Sequence, residues 1–126
     1  MKKLIALSAL AAFAGCATMT KVNVSDHLRA EVGSDPIETV AIDNTTWWLF
    51  ACIPLAGGDI ESPNRCSCSM FNHTATMENQ MKMLQTEAER AGARKAVNVT
   101  TIATSETAGG FIIVREKLHT SAVLVQ

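Results

Sequence analysis

Residues 74–92 read TATMENQMKMLQTEAERAG, the segment whose pattern commits most clearly to a helix. Thr74 or Thr76 can act as N-cap, its hydroxyl oxygen accepting a backbone N–H of the first turn. Glu78 follows within that turn, where the helix dipole favours an anion, and stands four residues before Lys82, a spacing that suits an ion pair. Met77, Met81, Leu84, Ala88 and Ala91 recur at intervals of four and three and form one apolar stripe. That stripe is expected to face a sheet, leaving Glu87 on the solvent side. Gly92 supplies a left-handed C-cap. At ~1.5 Å per residue such a helix spans about 24 Å, enough to cover one face of a small sheet.

The flanking segments read as strands. Residues 37–42 (IETVAI) alternate, Asp43-Asn44 breaks the pattern, and residues 47–55 (WWLFACIPL) form a second apolar run. This run is too short to cross a membrane and contains Pro54, so it reads as a buried strand paired with the first in a hairpin. Asp35-Pro36 marks a turn before the hairpin, and Gly57-Gly58-Asp59 ends it. Ser62-Pro63-Asn64 then continues an irregular loop into Cys66 and Cys68. Beyond the helix, residues 96–104 (AVNVTTIAT) are rich in β-branched side chains. A turn at Ala108-Gly109-Gly110 leads to a last strand over residues 111–125. There Ile112, Val114, Leu118, Ala122 and Leu124 share one parity, the mark of a strand with one buried face. Glu116-Lys117 is expected to form an exposed bend or bulge within it. The expected fold is α+β, in the order β-β-α-β-β, with one helix packed on an antiparallel or mixed sheet.

The N-terminus addresses location. Lys2-Lys3 precede an apolar run over residues 4–13, followed by the small residues Ala14-Gly15 and then Cys16. A run this short cannot span roughly 30 Å of hydrocarbon, and the three-part layout is that of a cleavable export signal. Phe13-Ala14-Gly15-Cys16 resembles the bacterial lipobox, although leucine is usual where Phe13 stands. The resemblance implies cleavage before Cys16 and lipidation of its sulfur, giving a signal peptide over residues 1–15, a tether over 16–20 and a single periplasmic domain over 21–126. Several acyl chains at about 0.8 kcal/mol per buried methylene make a lasting membrane anchor. Ala17, where an aspartate would favour retention in the inner membrane, implies the outer membrane by the same resemblance.

Removal of residues 1–15 leaves 111 residues with nine basic and twelve acidic side chains, room for one small core. The mild acidity gives no footprint for nucleic acid, whose binders carry a basic stripe. The layout is similar to that of TRL-like small bacterial lipoproteins. The features that carry the likeness are the apolar run ending in Gly58-Asp59, the helix closing at Ala91-Gly92-Ala93, the strand Ala96-Val97-Asn98-Val99 and the long apolar C-terminal strand. That resemblance implies an envelope lipoprotein with no assigned catalytic residues and no cofactor.

Residues 66–83 (CSCSMFNHTATMENQMKM) gather soft ligands. In an oxidising periplasm, Cys52 joined to Cys66 or Cys68 would close a loop of about 15 residues, worth roughly 3 kcal/mol in the chain-entropy account. The sharper alternative is a Cu(I) or Zn(II) site from Cys66, Cys68 and His73, with Cys52 or Met70 as a further ligand. Cys-x-Cys without a second paired element is a weak metal signal. Free thiols, or bridges to another protein of the envelope, are the remaining readings. A thiol enzyme would need Cys66 or Cys68 beside His73 or His119, which spacing alone does not provide. No Gly-x-Ser-x-Gly, Walker or His-Glu-x-x-His motif is present. Trp47-Trp48 marks either a ligand or membrane contact or, for one of the pair, the core. The expected function is a non-catalytic structural or interaction module of the cell envelope, with a metal-binding or redox-sensing lipoprotein as the alternative.

Overall fold

The computed structural model describes residues 17–23, 35–61, 63–64, 68–108 and 112–126. Six strands and one helix follow in the order β1 (Ala17–Asn23), β2 (Pro36–Leu49), β3 (Ile53–Gly58), β4 (Cys68–Met70), α1 (Met77–Ala91), β5 (Lys95–Ala108) and β6 (Ile113–Val125). The strands form one sheet, ordered β4-β3-β2-β6-β5, with β1 also on β2. Every pairing is antiparallel. The α+β class and a helix packed on the sheet are as expected; among the described residues the order β-β-α-β-β is not, because β1 and β4 add two strands before the helix.

β2 organises the sheet. Its whole length pairs with β6, while its other edge is shared: β1 lies against residues 38–44 and β3 against 46–49. The tether expected over residues 16–20 is therefore replaced from Ala17 onward by a strand, with Ala17 buried. Asp43-Asn44 does not break β2. Asn44 faces the helix and its Nδ2 donates to the Thr74 carbonyl at 2.6 Å, so a residue that terminates strands by local chemistry is retained here by a tertiary bond. Glu116-Lys117 likewise forms no bend, since β6 pairs through it without a register shift.

Alternation sorts the two faces of the sheet. Val40, Ile42, Asn44 and Thr46 of β2 and Leu118, Thr120, Ala122 and Leu124 of β6 point to the helix and are buried. The apolar members pack with Ala17, Met19, Met83 and Leu84 as the core. The helix has the expected ends: Thr76 Oγ1 accepts from the Asn79 N–H at 3.2 Å, and Gly92 adopts φ 71°. Its inward face differs. Gln80, Met83, Leu84 and Glu87 are buried, whereas Met77 is 53 % exposed and Met81 also reaches solvent. The helix is turned by less than one residue step, about 100° at 3.6 residues per turn, from the stripe of methionines.

Partners supplied by the sheet account for this turn. Gln80 Nε2 donates to the Leu118 carbonyl at 2.8 Å, and Glu87 is ion-paired with Lys21 of β1 and, at 3.5 Å, with Arg90. Glu87, expected in solvent, is a buried bridge between helix and sheet. A polar layer under the start of the helix completes the packing. Thr46 Oγ1 accepts from the N–H groups of Thr74 and Ala75 at 3.2 and 2.9 Å. Gly57 lies beneath that segment, and a Cβ there would stand 2.2 Å from Thr74 Oγ1 and 2.8 Å from the Asn72 carbonyl. Only glycine permits that approach.

Candidate functional site

Two polar clusters flank β6, one on each face. On the helix side Glu116 is central. Its Oε2 accepts from Trp48 Nε1 at 3.0 Å and lies 3.2 Å from His73 Nε2, an ion pair when the imidazole is protonated. The Trp48 and His73 rings meet edge to face with centroids 4.6 Å apart, a favoured aromatic geometry. Trp48, Ala51, Ser105, Val114 and Glu116 line an open cleft of about 250 Å³ beside this cluster. A larger polar cleft, about 380 Å³, runs between the segment after β3 and the start of the helix, lined in part by Asp59, Glu61, Asn72 and Asn79.

On the open side, Asp43 and His119 stand directly opposite each other across β2 and β6. His119 Nδ1 lies 2.9 Å and Lys117 Nζ 3.0 Å from Asp43 Oδ1. Partial burial of Asp43 works to raise its pKa, but hydrogen bonds and charge from Lys117 and His119 outweigh it and hold the carboxyl below its ordinary value. A neighbouring row crosses three strands, with Arg115 over the Trp47 ring at 5.8 Å and paired with Glu106.

Ser105, Glu116 and His73 at the first cleft do not stand in the order of a catalytic triad. A triad needs histidine between nucleophile and acid, so that the imidazole can take the nucleophile's proton. Here Glu116 occupies the middle, opposite Ser105 on β5 and beside His73. The sheet also separates His73 from His119. The cluster is instead suited to fixing the loop before the helix to β6.

Among the sequence-derived candidates, Cys16 and Cys66 lie outside the described residues, as does the side chain of Cys68. Cys52 is exposed in the β2–β3 turn, with its Sγ 3.0 Å from the Phe50 carbonyl. Backbone register bears on the expected bridge. Cys68 pairs with Gly58, at the far end of β3 from Cys52. Six residues at ~3.3 Å place the two Cα atoms roughly 20 Å apart, against the ~7 Å a disulfide tolerates. A Cys52–Cys68 bridge does not fit this register. His73, proposed as a metal ligand, is engaged by Trp48 and Glu116. Among the described residues, no group of three or more His, Cys, Asp or Glu is placed to hold a metal ion, and no helix is long and apolar enough to cross a membrane.

Sequence reasoning missed the roles of Asp43, Glu116 and Lys117, which it took for break and bend residues. Part of a signal was available for one of them, since Lys117 shares its parity with His119 within β6; the register that sets Asp43 opposite His119, and Glu116 on the other face, was not legible. Compared with known proteins, the chain matches no protein-family model, no curated protein and no solved structure.

Proposed function

We propose that this chain is a small non-catalytic lipoprotein of the bacterial outer membrane, anchored through Cys16 and facing the periplasm, where it acts as a structural or interaction module of the envelope. One observation carries the reading. Ala17, the residue after the lipobox cysteine, already lies in β1 and is tied into the fold: the Asn64 N–H donates to the Ala17 carbonyl at 2.9 Å, and Asn64 Oδ1 accepts from the Met19 N–H at 2.8 Å. The residue next to the cysteine marked by the signal anatomy is thus itself part of the folded sheet. With Ala17 already in the sheet, an acylated Cys16 holds the domain against the bilayer with almost no slack. The order of Ser105, Glu116 and His73 supports a role without catalysis.

The test is incorporation of labelled fatty acid in bacteria expressing the full chain. Label should enter the protein and be lost in Cys16→Ala, and the labelled protein should sediment with outer-membrane markers. Label that survives Cys16→Ala would remove the anchor. Recovery only with inner-membrane markers would overturn the sorting assignment drawn from Ala17.

A further inference from the structure

Among the described residues, five of the nine exposed large hydrophobic side chains gather at one corner of the sheet: Phe50, Ile53, Met70, Phe71 and Ile112. The others stand apart on the helix and on β5. Phe50 and Ile53 flank the β2–β3 turn, and the Phe50 N–H donates to the Ile112 carbonyl at 2.8 Å. Met70 and Phe71 close β4, where the Phe71 N–H donates to the Leu55 carbonyl at 3.1 Å. These contacts join the two turns and the start of β6 into one apolar edge.

The backbone presents these side chains at a cost. Phe50, Ala51 and Phe71 have φ of 52°, 56° and 56°, a left-handed region that Asn and Gly occupy readily and bulky residues avoid. A two-residue turn with both φ values positive ordinarily takes Asn-Gly. Here it carries phenylalanine, which is 59 % exposed, and Phe71 is 69 % exposed. Strain held at an exposed aromatic turn is a reason to look for what the turn contacts.

The direction of the chain identifies the occupant. β1 is antiparallel to β2, so at Ala17, opposite Asn44 and beside the end of β3, the N-terminal end of the strand points toward the β2–β3 turn. Met70, through Ala56, is level with Trp47, about 10 Å further along at ~3.3 Å per residue; Phe50 is about 20 Å along. The N-terminal end of β1 thus points toward the end of the sheet that carries the apolar corner. The opposite end instead exposes Asp35, Arg94, Lys95 and Gln126.

We propose that this corner is a second membrane contact: Phe50, Ile53, Met70, Phe71 and Ile112 enter the interface of the bilayer that holds the lipid on Cys16. The proposal rests on the anchored reading above. It adds an orientation, with the β2–β3 turn and the end of β4 toward lipid and the Asp35–Gln126 end toward solvent. Trp47 and Trp48 follow directly behind the turn, where amphipathic rings favour the headgroup layer. The five apolar side chains carry no charge, so the contact draws on apolar burial and requires no anionic lipid.

The experiment uses the full acylated chain, reconstituted in zwitterionic phospholipid vesicles whose acyl chains carry bromine, a short-range quencher of tryptophan. F50W, F71W and I102W are compared with the unsubstituted chain; Ile102 is exposed on β5, at the far edge. Emission added by F50W and F71W should shift to the blue and be lost to bromine, while that of I102W should not. Equal quenching at all three positions, or none at Phe50 and Phe71, overturns the contact. Labelled fatty acid read on the same samples separates the two claims: label present without quenching at the turns refutes the corner alone, and label absent removes the anchor and the corner with it. A blue shift that depends on protein concentration and ignores bromine assigns the corner to a second copy of the chain, which also overturns the proposal.

Discussion

The two faces of this sheet are made of the same strands and carry opposite burdens. Under the helix, polar groups are enclosed and four of them meet a partner from a distant part of the chain: Asn44 with Thr74, Thr46 with Ala75, Gln80 with Leu118, Glu87 with Lys21. On the open face, Asp43, Lys117, His119, Arg115 and Glu106 form cross-strand pairs that water also solvates. An enclosed group left without its partner loses its hydration with nothing in return, whereas an open-face group falls back on water. The same chemical types therefore specify the packing on one face and only decorate the other.

Substitutions can break this comparison, beginning where the effect should be largest. Leu84→Ala empties a buried site in the core and should cost roughly 2–5 kcal/mol in urea unfolding. Glu87→Ala strips Lys21 of its partner at a position 4 % exposed. Because the lysine retains some access to water, the loss should fall near the lower end of the range for a broken buried pair, about 3 kcal/mol. A tolerant Glu87 would return that residue to the solvent face and rotate the helix back toward its methionines.

On the open face Asp43→Asn should cost no more than about 1 kcal/mol at neutral pH. Its clearer signature is the pH dependence. The folded-state pKa of Asp43 is lowered, so its stabilisation is present above the ordinary carboxylate pKa and is lost as pH falls through the lowered value. Acid unfolding of Asp43→Asn should lack that part of the decline. Identical acid limbs in the two proteins would mean that Lys117 and His119 do not act on Asp43 in solution. The smallest effect belongs to Met77→Ala, which should stay within about 0.5 kcal/mol because the side chain is largely in water. A loss as large as that of Leu84→Ala would refute the face assigned to the helix.

Much of the candidate site was legible only in outline. His73 drew attention as a soft ligand beside two cysteines, yet what engages it is Glu116, 43 residues away in the chain, and the ring of Trp48. Cys52 and Cys68 share a loop length that suits a disulfide, but pairing of β4 with Gly58 sends Cys68 to the other end of β3. Loop length measures entropy; register decides whether the sulfur atoms can meet. β4 is three residues long, and in β1 the alternation of Ala17 and Met19 with Thr18 and Thr20 ends at Lys21, so neither offers a sustained apolar period that announces a strand.

What the amino-acid order determined by itself was local and periodic: the caps at Thr76 and Gly92, the extent of the helix, the parity of Leu118, Ala122 and Leu124, and the α+β class that these elements imply. Each depends on groups within a turn or on alternation along one strand, so a short window contains the whole cause. What only the tertiary structure decided were the continuity of β2 through Asp43-Asn44, the rotation of the helix toward Gln80 and Glu87, and the gathering of Phe50, Met70, Phe71 and Ile112 at one corner. In each case the deciding partner comes from a remote segment, such as the Thr74 carbonyl for Asn44 or Lys21 for Glu87. Hydrophobic periodicity ranks a glutamate as solvent-facing because it weighs transfer from water alone; a half-buried lysine partner changes the sign of that choice, and only the folded chain brings it there.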